Sequence, residues 1–147
     1  MKKYFVLLLT LVISIFSYAA ITNHVSEKLL RLFKEAYPNA KEVSWSEMPE
    51  TYIVNFVENG IRSRITYEKS GAYQSSIRYY GEEHLLPYLV LYLKSNFPGK
   101  KIFGVTEVST AASVDYFVKM EDSGHWTTIK IDSDANWKLV EELEKAK

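Results

Sequence analysis

The chain has 147 residues, with 18 basic and 18 acidic side chains, three histidines and no cysteine. Balanced charge provides no long-range field to gather nucleic acid, and the missing thiols exclude disulfide staples, thiolate nucleophiles and cysteine-ligated metals. Stability must therefore come from packing, for which a composition 47% hydrophobic and 14% aromatic is sufficient.

Met1-Lys2-Lys3 precedes an apolar run from Tyr4 to Phe16, followed by Ser17-Tyr18-Ala19-Ala20. A basic start, an apolar stretch and small residues at Ser17 and Ala19 predict a secretory signal peptide over residues 1–19, cut after Ala19. The alternative is a retained anchor, for which the run lies at the short end of the roughly 17–25 residues a spanning helix needs. No lipobox cysteine is present for a lipid anchor. Cleavage would leave one domain of 128 residues, 20–147, with 16 basic and 18 acidic side chains and no other membrane-spanning stretch. The expected location is periplasmic or secreted.

Apolar residues at helical spacing (Val25, Leu29, Leu32, Phe33, Ala36) predict a first helix from Val25 to Tyr37, capped by Thr22 or Asn23 and stopped by Pro38. A strand with Val43 and Trp45 alternating follows. Then comes Tyr52-Ile53-Val54-Asn55-Phe56, an Asn59-Gly60 turn and Arg64-Ile65-Thr66-Tyr67. Asn-Gly is a strong two-residue hairpin signal, and it pairs Val57 with Arg62, Asn55 with Arg64 and Val54 with Ile65. Tyr73, Ser75, Ile77 and Tyr79 form a fourth strand. A second helix is predicted from Glu83 to Asn96, with Pro87 near its first turn and Leu86, Leu89, Val90, Leu93 and Phe97 as its apolar stripe.

The pattern then repeats. Pro38 recurs as Pro98, 60 positions on, and Tyr52 as Tyr116, 64 positions on, so four extra residues belong to the Ser109–Ser113 loop. Phe103 and Val105 take the places of Val43 and Trp45. Tyr116-Phe117-Val118-Lys119-Met120 and Thr128-Ile129-Lys130-Ile131 flank Ser123-Gly124, and Trp137 and Leu139 form the last strand. Glu141, Glu142, Glu144, Lys145 and Lys147 read as a solvated tail. Two supersecondary units of this kind, about 22–80 and 82–140, predict an α+β fold. Each contributes a helix and four strands to one antiparallel sheet of about eight strands, with both helices on one face.

Tyr37-Pro38-Asn39-Ala40, Val43-Ser44-Trp45, Tyr52-Ile53-Val54-Asn55-Phe56, Gly60, Tyr67-Glu68 and Leu86-Pro87 together resemble the PepSY-like, β-lactamase-inhibitor-like domains of exported Gram-negative proteins. The resemblance covers essentially the whole chain beyond residue 19. Repeat two departs from it, with Val105 in the place of Trp45 and Gly99-Lys100 in the place of Asn39-Ala40. It implies a fold, an exported location and a protein partner, with a hydrolase as the precedent for binding on the open sheet face. It brings no catalytic residue.

No catalytic constellation is legible. His24, His84 and His125 are scattered without metal-ligand spacing, serines lack a nucleophile elbow, and no glycine-rich phosphate loop occurs, so neither cofactor nor metal is expected. Glu82-Glu83 suits the positive end of a helix better than a pair of acid–base carboxylates. The unusual surface is the sheet face turned away from the helices, where register places Ile53, Arg62, Arg64, Phe117, Trp126 and Lys130. Large aromatics beside cations are the composition of a contact surface. The same residues would also serve as cross-strand pairs that stiffen the sheet, each worth about 0.2–1 kcal/mol. Two functions follow as expectations: an exported, non-enzymatic binding or inhibitor-like domain, or a structural or stress-related envelope protein that self-associates.

Overall fold

Residues 25–146 are described by the structure, a computed structural model. The signal segment, its cleavage site, Thr22, Asn23, His24 and Lys147 lie outside these residues. Eight strands form one antiparallel sheet in which spatial order equals chain order: β1 (Lys41–Glu47), β2 (Thr51–Glu58), β3 (Ile61–Glu68), β4 (Tyr73–Tyr80), β5 (Lys101–Thr110), β6 (Val114–Glu121), β7 (His125–Asp132) and β8 (Trp137–Glu144). Helix α1 (Glu27–Ala36) precedes β1, and α2 (Pro87–Asn96) lies between β4 and β5. The expected α+β architecture of two helix-plus-four-strand units is therefore present.

Both helices are shorter than their apolar patterns. Ser26 caps α1, its Oγ accepting from the Leu29 amide at 3.3 Å, so the cap is Ser26 rather than Thr22 or Asn23. Residues Glu82–His84 form a separate 3₁₀ turn, and α2 starts only at Pro87. The reason is local: the residue before a proline is sterically barred from helical geometry, and Leu86 is extended (φ −54°, ψ 126°). Each helix docks through two buried residues, Leu29 and Phe33 in α1, Leu89 and Leu93 in α2. Burying each such side chain contributes about 1.5–3 kcal/mol. Leu32, placed on the apolar stripe by periodicity, is exposed.

The two helix-covered halves have different interiors. Under α1, Phe33 meets Trp45 edge-on at 5.3 Å and Phe56 at 5.1 Å, an aromatic cluster closed by Val54 and Ile65. Under α2, the core is largely aliphatic: Leu85, Leu89, Leu93, Val105, Val118, Met120, Ile129 and Ile131, with Tyr80 and Tyr116.

Both hairpin registers hold. Val57 faces Arg62 and Tyr52 faces Tyr67 in one, and Phe117 faces Lys130 and Glu121 faces Trp126 in the other. Their turns differ. Asn59 and Gly60 take left-handed φ of 51° and 80°, as a tight Asn-Gly turn demands, whereas the second turn is closed by Asp122, whose Oδ1 accepts from the amides of Gly124 and His125.

Three expectations are corrected. First, β1 and β5 each carry a bulge, Glu42-Val43 opposite Phe56 and Ile102-Phe103 opposite Met120, so Val43 and Phe103 leave the alternation set by Trp45 and Val105 and become exposed. Second, the extra residues of repeat two extend the strand rather than a loop: Val108, Ser109 and Thr110 pair with Ile77, Ser76 and Ser75 of β4. In repeat one, β1 is an edge strand with no such neighbour to hold a longer end. Third, the acidic tail is β8. Glu144 pairs with His125 and Glu142 accepts from Thr127 Oγ1 at 2.9 Å, because an edge strand is stable with charge on both faces.

Candidate functional site

Following register across the sheet, each residue on the open face has one neighbour on either side, which resolves that face into rows. One row runs Val57, Arg62, Tyr79, Thr106, Phe117, Lys130, Lys138 across seven strands, from β2 to β8. Three of the six predicted residues, Arg62, Phe117 and Lys130, thus share a line although they come from different repeats. Strands are about 4.8 Å apart, so Arg62 and Phe117 stand about 14 Å from each other. Tyr79 fills the gap, half exposed.

Charge along this row is unevenly neutralised. Lys130 Nζ pairs with Asp115 at 2.8 Å. Arg64, one row away between Asn55 and Ile77, donates from Nε to Asn55 Oδ1 at 3.2 Å. Arg62 is exposed, and its guanidinium has no ionic or hydrogen-bonding partner among the described residues. An unpaired guanidinium beside a tyrosine ring keeps its full capacity to bind a carboxylate in a bidentate manner.

Trp126 belongs to a second cluster, two rows from Phe117 and therefore about 13 Å along the strands. It is caged. Phe103, turned outward by its bulge, packs edge-on at 4.8 Å and 81°, Lys119 Nζ sits 4.9 Å from the ring centre, and Lys145 Nζ sits 4.5 Å from it. Lys145 is itself held by Glu121 at 2.7 Å. Ile53, between Ser46 and Thr66 near the opposite end of the sheet, joins neither group.

Sequence reasoning missed Tyr79, Phe103 and Lys138 on this face. Tyr79 and Lys138 enter through β4–β5 and β7–β8 pairings. Phe103 had one signal, two large apolar residues in succession before Gly104, which strict alternation does not explain.

On the helix side, a polar groove of about 390 Å³ separates the two cores. Glu107 lies at its centre, accepting from Arg78 at 3.1 Å and from the Tyr80 hydroxyl at 2.5 Å, while the Tyr73 hydroxyl donates to the Ser109 carbonyl at 3.1 Å. Burial, followed by the bond to Glu107, pushes the Tyr80 phenol far above its ordinary value. Burial likewise raises Tyr67 to about 12. These phenols stay protonated donors near neutral pH and cannot serve as bases. No group of three His, Asp or Glu side chains among the described residues is placed to hold a metal ion. No described helix is long and apolar enough to cross a membrane.

No protein-family profile matches this sequence, and no curated protein matches it significantly. Solved structures do resemble it in shape. A BLIP-like protein of Bacteroides fragilis superposes with a TM-score of 0.56 at 15% identity, over 81% of this chain and 85% of that one. A DUF2874 family protein of Bacteroides ovatus gives 0.56 at 18% identity, over 81% and 86%. A candidate periplasmic protein of Bacteroides eggerthii gives 0.57 at 14% identity, over 82% and 89%. At such identities the likeness is one of fold: the chain has a BLIP-like fold, and none of these three structures is described as a PepSY domain.

Proposed function

We propose that this chain is an exported, non-enzymatic binding module that grips a protein partner with the open face of its sheet. The observation that carries this reading is the row Arg62–Tyr79–Phe117–Lys130, where an unpaired cation, two aromatics and a second cation lie in line on a surface that neither α1 nor α2 covers. Aromatic and arginine side chains dominate binding energy at protein interfaces, and a partner presenting carboxylates beside apolar surface complements this row. The BLIP-like fold of its structural relatives and the periplasmic description of one of them support the module and its location. The resemblance noted in the sequence suggests a hydrolase as the partner.

The test is capture from a periplasmic extract with the protein immobilised through its C-terminus. Replacing Arg62 and Phe117 together by alanine is expected to abolish capture of any partner held by this row, with circular dichroism unchanged. Equal capture by the double variant, or none by the parent, overturns the reading. Self-association through a sheet edge has less support. Both β1 and β8 are bulged and carry charged side chains, which are devices that keep edge strands apart.

A further inference from the structure

The middle of the helix-side sheet face is polar where both flanks are apolar. Following register across it, one row runs Phe56, Ser63, Arg78, Glu107, Tyr116, Ile131 from β2 to β7. Its ends belong to the cores under α1 and α2, whereas Ser63, Arg78 and Glu107, with Ser76 and Ser109 in the next row, line the groove between them. Repeat two closes the matching positions. The offset of 64 sets Ser63 and Arg78 against Thr127 and Glu142, which face each other across β7 and β8 as Ser63 and Arg78 do across β3 and β4. There Thr127, 2% exposed, donates to Glu142 at 2.9 Å. In repeat one, Arg78 gives its Nη1 to both oxygens of Glu107, at 3.1 and 3.3 Å. Ser63 is 6% exposed, and its hydroxyl is left with no hydrogen-bonding partner among the described residues. Nε and Nη2 of Arg78 are likewise unused by the described residues. An unpaired buried hydroxyl weakens a fold, so one that lines a groove marks a group kept for a ligand.

We propose that this groove binds a neutral saccharide unit. Charge selects the class. Glu107 neutralises Arg78, and Glu58 adds a second carboxylate to the lining, so there is no surplus cation to hold an anion. A cationic ligand would meet Arg78 at the centre. What remains is a ligand without charge yet rich in donors and acceptors. The unused Nε–Nη2 edge of Arg78 is a two-donor fork that fits the oxygens of two adjacent sugar hydroxyls, and the Ser63 hydroxyl can give or take a further bond. Tyr37 and Phe56, ring centres 4.7 Å apart, wall the α1 end, and the C–H face of a pyranose packs on such rings. A volume of about 390 Å³ is at the small end of small-molecule sites, which suits a mono- or disaccharide. A peptide is less well served: β3, β4 and β5 are paired along both edges and leave it no main-chain ladder. The groove and the Arg62–Phe117 row lie on opposite sides of the sheet, so neither site depends on the other.

The test is a heteronuclear NMR titration of the full-length chain with glucose, N-acetylglucosamine, maltose and cellobiose. For ligands of this size a dissociation constant on the order of 1 mM is expected, and at least one of the sugars should shift the amides of Ser63, Ser76 and Glu107 in a saturable way. Ser63→Ala should weaken that binding about threefold to tenfold while the melting temperature holds or rises, because the lost hydroxyl bonded nothing in the fold. Thr127→Val, which removes the bonded hydroxyl of repeat two, should do the reverse, lowering the melting temperature and leaving binding unchanged. Arg78→Lys, which keeps the charge and loses the fork, should weaken binding about tenfold. Absence of saturable shifts with all of these sugars, equal affinity in Ser63→Ala, or a fall in its melting temperature matching that of Thr127→Val overturns the proposal. Tighter binding of inorganic phosphate or of trialanine at the same amides overturns it too.

Discussion

Removing the Trp126 ring should cost stability as well as any binding role, and the structure says how much. Its cage comprises one edge-on ring, Phe103 at 4.8 Å, and two ammonium groups at 4.9 and 4.5 Å from the ring centre. An aromatic pair contributes about 0.5–1.5 kcal/mol, and each cation about 0.5–1 kcal/mol at an accessible site. Trp126→Ala is therefore expected to lose about 2 kcal/mol, a fall in melting temperature of roughly 8 °C for a domain of this size. Urea unfolding of Trp126→Ala, Phe103→Ala and the double variant would isolate the ring pair. A coupling of about 1 kcal/mol is expected between the two, since they touch. Additive losses, with coupling below about 0.3 kcal/mol, would refute the caged geometry and with it the outward turn of Phe103 at the bulge.

On α2, Leu93→Ala should cost about 2–5 kcal/mol because Leu93 is 1% exposed. Leu91→Ala, two residues away at an exposed position, should leave unfolding nearly unchanged, and equal losses in thermal melts would show that the helix is rotated. Asp122 supplies a pH signature. Its carboxyl is held below the ordinary value by the Lys100 ammonium, at 2.6 Å, and by the Gly124 and His125 amides. A depressed pKa stabilises the fold above the unfolded value, about 3.8, and that stability is lost as pH falls toward the folded value. The stability gap between the parent and Asp122→Asn should accordingly be full near pH 7 and narrow progressively as pH falls from about 4 toward the folded value. A gap independent of pH would mean that the turn does not depend on the carboxylate's charge.

Hairpin registers were legible because Asn59-Gly60 pins one turn and the alternation of Tyr116, Val118 and Met120 against Thr127, Ile129 and Ile131 pins the other. A one-residue slip would bury Arg62 or Lys130. The bulges were not legible. An inserted residue beside Ile102 and Phe103 leaves an apolar run that looks the same whichever of the two points inward. Nor was the row that joins Arg62 to Phe117 legible, since it depends on the β4–β5 register. That pairing is set by packing after a long connection through α2, not by a turn whose residues declare it. Glu141 to Glu144 misread as a tail because an edge strand exposed on both faces has no apolar alternation to show.

Agreement between spatial and chain order also bears on how the sheet assembles. Six of its seven ladders join strands separated only by short turns, so each can zip from its own hairpin at little loop-closure cost. The exception is β4–β5, where Tyr80 meets Val105 across the whole of α2. Contacts this local place the chain among quick folders for a sheet protein, with two halves that can ripen separately and one late seam, marked by Arg78, Tyr80 and Glu107, that turns them into a single surface.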